Sequence, residues 1–138
     1  MKRAANAIWQ GSGKEGVGQL STQSTVLNKA NYSYKTRFED GIGTNPEELM
    51  AAAHAGCFSM KLSFVLQAAG FVASEINTDC AISLENGAIN KSELTLRAII
   101  PGIDEATFQQ CATEAKLNCP VSKAYNCEIT LDAQLISA

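Results

Sequence analysis

The sequence is poor in several residue types, and these shortages exclude whole classes of protein. Its 138 residues include one histidine and three prolines, and 11 basic residues stand against 14 acidic ones, a formal net charge of −3. So few basic residues argue against a nucleic-acid-binding surface. The single histidine, His54, lies in an apolar segment, so we expect a hydrogen-bonded core residue rather than a ligand or base, and no Ser-His-Asp arrangement.

The chain also lacks the patterns of exported and membrane-spanning proteins. No apolar run follows Lys2 and Arg3, so the N-terminus does not resemble a secretory signal. The apolar segment at residues 49–69 contains Lys61, and a lysine in the middle of a bilayer costs on the order of 3 kcal/mol. We therefore expect a buried helix of a soluble, cytoplasmic protein that does not bind membranes.

The five cysteines include no C-x-x-C pair. Cys111, Cys119 and Cys127 are eight residues apart, which is too wide for a zinc knuckle, so we expect no metal and no cofactor. An odd number of cysteines cannot all pair within one chain. Without a secretory signal, the expected compartment is the reducing cytosol.

The length predicts one domain, residues 1–138, large enough to fold without a metal or a disulfide. Residues 8–9, 17–26 and 32–38 are rich in β-branched and aromatic side chains between turn residues, which predicts strands. Residues 11–16 match the pattern G-x-G-x-x-G but lead into an extended segment rather than a helix. We expect a hairpin loop there and no dinucleotide site.

A long helix is predicted from its start signals. Asn45 is a good N-cap, Pro46 suits the first helical position, and Glu48 lies where it can complete a capping box. Glu47 adds negative charge to the first turn, which offsets the helix dipole. We expect the helix to continue to just before Gly70.

The second half of the chain predicts two strands, two helices and a last strand. The strands meet at the turn Asn86-Gly87 and have these inward-facing residues: Ile76, Thr78, Cys80, Ile82 and Leu84, then Leu94, Leu96, Ala98 and Ile100. Asp104 caps a helix that ends at Cys119, because Pro120 forces the preceding residue out of the α region and can begin a short helix itself. The last strand turns one apolar face inward: Cys127, Ile129, Leu131, Ala133 and Leu135.

These elements predict an α+β fold in the order βββ-α-ββ-α-α-β. The long helix is apolar on nearly every side, so every side has to be covered. One sheet of so short a chain covers one face. We expect a second copy of the chain to cover much of the rest, as a homodimer.

Three cysteines have an ordinary structural explanation. Cys80, Cys111 and Cys127 are in phase with the apolar faces of their elements, so we expect them to pack in the core. Periodicity alone indicates a core position for Cys57 as well. Cys119 is on no apolar face. At a helix break, its thiol is either incidental or a thiolate stabilised by backbone N–H groups.

The sequence resembles the OsmC branch of the OsmC/Ohr family of organic hydroperoxide reductases in four segments: YKTRFE at 34–39, GTNPEEL at 43–49, AAAHAGCFSM at 51–60 and NCPVSK at 118–123. The similarity extends over essentially the whole chain, and two separated cysteine motifs make it specific. It implies an OsmC/Ohr-like fold, in which sheets pack around long central helices in an intertwined homodimer.

The resemblance also implies a thiol-dependent peroxidase that reduces organic hydroperoxides to alcohols. Cys57 matches the peroxidatic cysteine, Cys119 the resolving cysteine, and Arg37 and Glu47 the ion pair of the active site. The implied reductant is an external dithiol, such as a lipoyl group. The other three cysteines lie outside this pattern, and side disulfides among them are left open.

The chemistry explains why these residue types belong together. Only a few per cent of a thiol with the ordinary pKa of about 8.5 is ionised at pH 7, and the thiolate is the nucleophile. A guanidinium favours the thiolate and orients the peroxide, while Glu47 would hold Arg37 through a bidentate pair. The thiolate of Cys57 attacks the O–O bond, and Cys119 condenses with the resulting sulfenic acid to a disulfide that a dithiol reduces.

Helix geometry indicates that the predicted dimer also completes the active site. Glu47 and Cys57 are ten residues apart on one helix, about 15 Å along its axis, so Arg37 can hardly bridge them within one chain. We expect Glu47 of one chain to approach Cys57 of the other. Two composite sites at the dimer interface would then be lined by apolar residues such as Phe58 and Met60.

Two other functions remain open at this stage. One is a non-catalytic dimer that binds an apolar, lipid-like molecule and has incidental thiols. The other is a thiol-based sensor of oxidative stress that uses the same cysteine pair to change a partner interaction. Rapid turnover of a hydroperoxide with a dithiol, abolished in Cys57→Ser, distinguishes the peroxidase from both.

Overall fold

The computed structural model describes residues 1–136, which form two compact units that divide between Leu49 and Met50. The last two residues of the predicted domain 1–138 lie outside the described residues, and the single domain stays a prediction. Each unit contains one three-stranded sheet. The α+β class predicted from the sequence is confirmed.

The first unit contains an antiparallel sheet in the order β1-β2-β3. Its strands are β1 (Ala5–Gln10), β2 (Val17–Thr22) and β3 (Ala30–Tyr32). The glycine-rich segment 11–16 is the loop between β1 and β2, as predicted. The strand predicted for residues 17–26 ends at Thr22, because a turn follows in which the Thr25 N–H donates to the Thr22 carbonyl at 2.9 Å.

The strand predicted for residues 32–38 is wrong beyond Tyr32. The short helix α1 (Tyr34–Phe38) occupies this segment, so the order of elements gains one helix. Ser33 and Thr36 form a capping box: the Thr36 N–H donates to the Ser33 hydroxyl at 3.3 Å, and the Ser33 N–H donates to the Thr36 hydroxyl at 2.7 Å. These paired bonds satisfy two of the backbone N–H groups that the start of a helix leaves without partners.

The predicted long helix is α2 (Pro46–Ala68). The Glu48 N–H donates to the Asn45 side chain at 2.8 Å, as expected of an N-cap. The other half of the predicted capping box is wrong, because the Glu48 carboxylate accepts a hydrogen bond from the Thr44 hydroxyl at 2.7 Å instead. Gly70 follows the helix with φ of 93°, a backbone conformation that favours glycine.

The second unit has a mixed sheet in the order β4-β5-β6. Its elements are β4 (Glu75–Glu85), β5 (Ala88–Ile99), α3 (Glu105–Asn118), α4 (Pro120–Ala124) and β6 (Glu128–Leu135). β4 and β5 are antiparallel, β5 and β6 parallel. Asn86 and Gly87 make the predicted two-residue turn, both with positive φ. Cys127 lies one residue before the last strand rather than within it.

The hydrophobic core of the second unit joins α2 and α3 to the inner face of β5. Its fully buried members are Phe58, Leu62, Leu66, Leu94, Leu96, Ala98, Phe108, Ala112, Ala115 and Cys119. α2 is long and apolar enough to span a membrane by length and composition. Its buried side chains instead pack in this core. Cys111 is 5% exposed and packs there as predicted.

We predict that Leu62→Ala lowers the free energy of unfolding by about 2–5 kcal/mol, because the fully buried side chain leaves a cavity. Leu117→Ala is the matched control on a helix surface, since that side chain is 61% exposed. It should change stability by about 0.5 kcal/mol or less. Urea denaturation measures both. Equal effects of the two substitutions would contradict the assignment of the core.

Candidate active site

Two of the predicted site residues, Cys57 and Cys119, lie together in the second unit. Cys57 is half-buried on α2, and Cys119 is fully buried at the break between α3 and α4. The break forms because Pro120 begins α4, while the Cys119 N–H still donates to the Ala115 carbonyl at 2.9 Å. The two thiols are close enough for each to shift the pKa of the other, and all five cysteines are free.

The surroundings of Cys57 favour its thiol. Burial raises the pKa of Cys57, and the hydrogen bond and the charge of Cys119 raise it further. The backbone N–H of Val121 and the ammonium of Lys61 act in the opposite direction with smaller effect. Within the single chain, the groups around Cys57 therefore oppose its ionisation on balance.

The surroundings of Cys119 favour its thiolate. Burial opposes ionisation, but the hydrogen bonds from Cys57, from the backbone and hydroxyl of Ser122, and from the backbone of Val121 together lower the pKa of Cys119. Cys119 lies on no apolar face by its position in the sequence, yet it is fully buried. A half-buried thiol therefore lies beside a buried sulfur that is surrounded by hydrogen-bond donors.

The other two predicted site residues form an ion pair within the first unit. Nε of Arg37 lies 2.6 Å from Oε1 of Glu47, and the two side chains are 40% and 12% exposed. The expected bidentate pair is wrong, because one oxygen makes the contact. Oε2 of Glu47 is buried and lacks a hydrogen-bond partner among residues 1–136. A buried carboxylate oxygen without a partner remains able to accept a further hydrogen bond.

A cavity of about 250 Å³ adjoins Arg37 in the first unit. Half of the residues that line it are aromatic, and the full lining is Trp9, Gly13, Tyr32, Ser33, Tyr34, Arg37, Phe38 and Pro46. The rings of Trp9 and Tyr32 pack at 5.4 Å, and the guanidinium of Arg37 lies 5.2 Å from the centre of the Phe38 ring. Such a cavity suits an apolar group attached to a polar one.

A buried histidine site in the second unit was only partly foreseen. His54 is fully buried on α2, with Nδ1 2.6 Å from the Ser92 hydroxyl and Nε2 2.8 Å from the Ser122 hydroxyl. The prediction of a hydrogen-bonded core residue is confirmed. Burial lowers the pKa of His54, so its ring is neutral at pH 7.

Both serines lead from His54 to cysteines. The Ser122 hydroxyl is one of the groups that lower the pKa of Cys119, and the Ser92 hydroxyl lies 3.3 Å from Sγ of Cys80. Sequence reasoning missed both serines. For Ser92 a signal existed, because it has the inward phase of β5 yet is polar. Within residues 1–136, no cluster of three or more potential metal ligands is present.

Tyr125 packs against this site. Its hydroxyl donates to the Met50 carbonyl at 2.8 Å, and its ring meets that of His54 edge-on, with centroids 5.2 Å apart. Burial raises the pKa of Tyr125, and negative charge on nearby cysteines adds to this shift. Tyr125 therefore stays a neutral donor that ties α2 to the segment after α4.

Comparison with known proteins identifies relatives over the whole chain. The family model described as "OsmC-like protein" matches residues 39–134. A "Peroxiredoxin OsmC" of Escherichia coli (strain K12) is 48% identical, with 98% of this chain and 97% of that protein aligned. An "Organic hydroperoxide resistance protein" of Xanthomonas axonopodis pv. citri is 34% identical, over 66% of this chain and 67% of that protein.

Solved structures share the fold. An OsmC-like protein from Mycoplasma pneumoniae superimposes with a TM-score of 0.78 at 10% identity, over 99% of this chain and 98% of that one. The organic hydroperoxide resistance protein OhrB of Bacillus subtilis gives a TM-score of 0.65 at 24% identity, over 95% and 98% of the two chains. At these identities the likeness concerns the fold.

We predict that the free energy of unfolding falls as the pH is lowered through the ordinary histidine pKa of 6.5. In this range His54 of the unfolded chain binds a proton that the buried ring of the folded chain does not bind. The slope should approach about 1.4 kcal/mol per pH unit. His54→Gln should lose this dependence. Denaturant titrations between pH 7.5 and 5.5 measure it, using ~0.5-unit steps. In NMR spectra the single imidazole should titrate below the ordinary histidine pKa of 6.5, and a ring that titrates at or above it would contradict the assignment.

Proposed function

The chain belongs to the OsmC family, and from this premise we propose that it is a thiol-dependent peroxidase that reduces organic hydroperoxides to alcohols. The observation that carries the proposal is the contact between Cys57 and Cys119, which are 62 residues apart in sequence. A protein that needs one reactive thiol and one thiol to resolve it requires such a contact. Relatives named as a peroxiredoxin and as organic hydroperoxide resistance proteins support the same reaction class.

Cys57 is the residue that attacks the peroxide. It is half-buried and so open to a substrate, whereas Cys119 is fully buried. The thiolate sulfur bonds to the terminal peroxide oxygen as the O–O bond breaks, and the alkoxide takes a proton to leave as the alcohol. The sulfur is oxidised to a sulfenic acid.

Cys119 resolves this intermediate. Its sulfur bonds to the sulfur of Cys57, the S–O bond breaks, and the hydroxide leaves as water with the proton that Cys119 gave up. The disulfide protects Cys57 from irreversible oxidation. An external dithiol, of which a lipoyl group is one, restores both thiols by exchange.

Ionisation of Cys57 needs a cation that its own surroundings do not provide in sufficient strength, since burial raises the pKa of Cys57 despite Lys61. We propose that Arg37 of a second copy supplies it. Glu47, which holds Arg37, stands about 15 Å along α2 from Cys57 in its own chain. The free oxygen Oε2 of Glu47 is suited to accept the O–H of the hydroperoxide.

A homodimer is also supported by the surface of α2. Met60 and Phe64 are 65% and 61% exposed, and Ala53 and Gly56 on the same side are exposed as well. Apolar side chains at this spacing form a stripe that a second helix covers well. The aromatic cavity beside Arg37 would hold the organic part of the substrate. A reducing cytosol, the proposed location, would keep the five thiols reduced.

We predict that Cys57→Ser abolishes consumption of cumene hydroperoxide with dihydrolipoamide, because serine cannot form the sulfenic acid. Cys119→Ser should keep the first oxidation but inactivate during turnover, since no disulfide protects Cys57. Cys127→Ser is the control, a half-buried cysteine outside the proposed pair. Unchanged turnover in Cys57→Ser would refute the peroxidase. A disulfide that forms without cycling would instead favour the sensor, and ligand binding without oxidation the binding protein.

We further predict that Phe64→Glu produces a monomer with at least about tenfold lower peroxidase activity, because a buried charge disrupts the interface and removes the partner's guanidinium. Val72→Glu, a substitution at a side chain that is 79% exposed, is the control. Sedimentation and turnover are measured on the same samples. Mixing Arg37→Ala with Cys57→Ser chains should restore part of the activity that each lacks. Full activity in a monomer would refute the composite site.

A further inference from the structure

Four side chains in the second unit form a continuous chain of hydrogen bonds, which the proposed mechanism has not used so far. It connects Cys80, Ser92, His54 and Ser122. The two histidine contacts, at 2.6 and 2.8 Å, are short, and both serines and the histidine are buried. The chain ends at Ser122 in the first turn of α4, three residues after Cys119, whose sulfur has to attack the intermediate on Cys57.

When Cys119 is a thiolate, the available protons determine which group donates and which accepts in each hydrogen bond of this series. The hydroxyl of Ser122 has one proton and donates it to the sulfur, so its oxygen must accept from His54. The neutral ring therefore has its proton on Nε2, and Nδ1 accepts from the hydroxyl of Ser92. Ser92 in turn can accept from the thiol of Cys80 at 3.3 Å.

We propose that His54 is a positioning residue for the resolving step: anchored by Ser92, it turns the hydroxyl of Ser122 toward Cys119, so that this hydroxyl stabilises the sulfur that attacks Cys57. This inference rests on the proposed peroxidase function. His54 contacts Ser122 rather than a sulfur, so its effect passes through that hydroxyl.

The step balances within the groups already named. Cys119 attacks the sulfur of the Cys57 sulfenic acid, the S–S bond forms and the S–O bond breaks. The departing hydroxide takes up the proton that Cys119 lost and leaves as water. Before attack, the Ser122 hydroxyl stabilises the negative sulfur. As the charge disappears, that hydroxyl becomes free to rotate.

A single turnover with tert-butyl hydroperoxide separates the two chemical steps. The first is formation of the sulfenic acid on Cys57, trapped with dimedone. The second is formation of the Cys57–Cys119 disulfide, followed by mass spectrometry at several pH values. Ser122→Ala and His54→Leu should slow the second step about tenfold at neutral pH and move its pH profile upward by about one unit. The first step should stay within about twofold.

Three further variants define the role of the histidine. His54→Gln keeps an amide N–H for Ser122 and a carbonyl oxygen for Ser92, so it should restore most of the rate that His54→Leu loses. Ser92→Ala removes the anchor alone and should slow the second step less than Ser122→Ala. Ser59→Ala is the matched control, since its hydroxyl donates to Thr78 at 2.7 Å, outside the chain of hydrogen bonds.

The outcomes separate the inference from the proposed function. If the parent forms no sulfenic acid on Cys57, the peroxidase proposal fails. If the sulfenic acid forms but Ser122→Ala leaves the rate and pH profile of disulfide formation unchanged, the inference fails alone. Equal slowing of both steps would indicate a merely structural role and overturn it. Should His54→Leu not fold, Ser122→Ala decides the question, because it removes one hydroxyl at the end of the chain.

Discussion

The thiols of Cys57 and Cys119 are held near each other by the packing of a single core. One thiol lies in the middle of α2 and the other at a break between two helices, so they can meet only if both segments pack in the same core. Phe58 next to Cys57 and Ala115 before Cys119 are both fully buried in it. The core therefore determines the distance between the two sulfurs.

Burial brings the two thiols together and also opposes the ionisation of each. A buried thiol resists ionisation, so the thiolate forms only where donors compensate. Cys119 has such donors in Ser122 and the backbone of Val121, whereas burial dominates at Cys57. The same rule applies to His54, which satisfies both ring nitrogens with hydroxyls. Glu47 is an exception, because its buried oxygen Oε2 has no hydrogen-bond partner among residues 1–136.

Features that depend on neighbouring residues could be predicted well. The start of α2 at Pro46, the turn at Asn86-Gly87 and the helix break at Cys119 follow from backbone preferences that act within a few residues. A local signal was also available at α1, namely the capping pair of Ser33 and Thr36. The prediction of a strand there was wrong because it relied on the aromatic and β-branched composition of the segment instead. The role of Ser92 could not be predicted, because a single polar residue on an inward face does not show which group it contacts.

By itself, the sequence determined the α+β class, the limits of most elements and, through its motifs, the resemblance to the OsmC family. Tertiary structure decided which groups meet: two thiols in one core, one histidine between two serines, and one oxygen of Glu47 on Arg37 rather than two. The reason is physical. Periodicity tells which face of an element is buried, but a pKa or a hydrogen bond depends on the atoms across that face, and only packing brings those together.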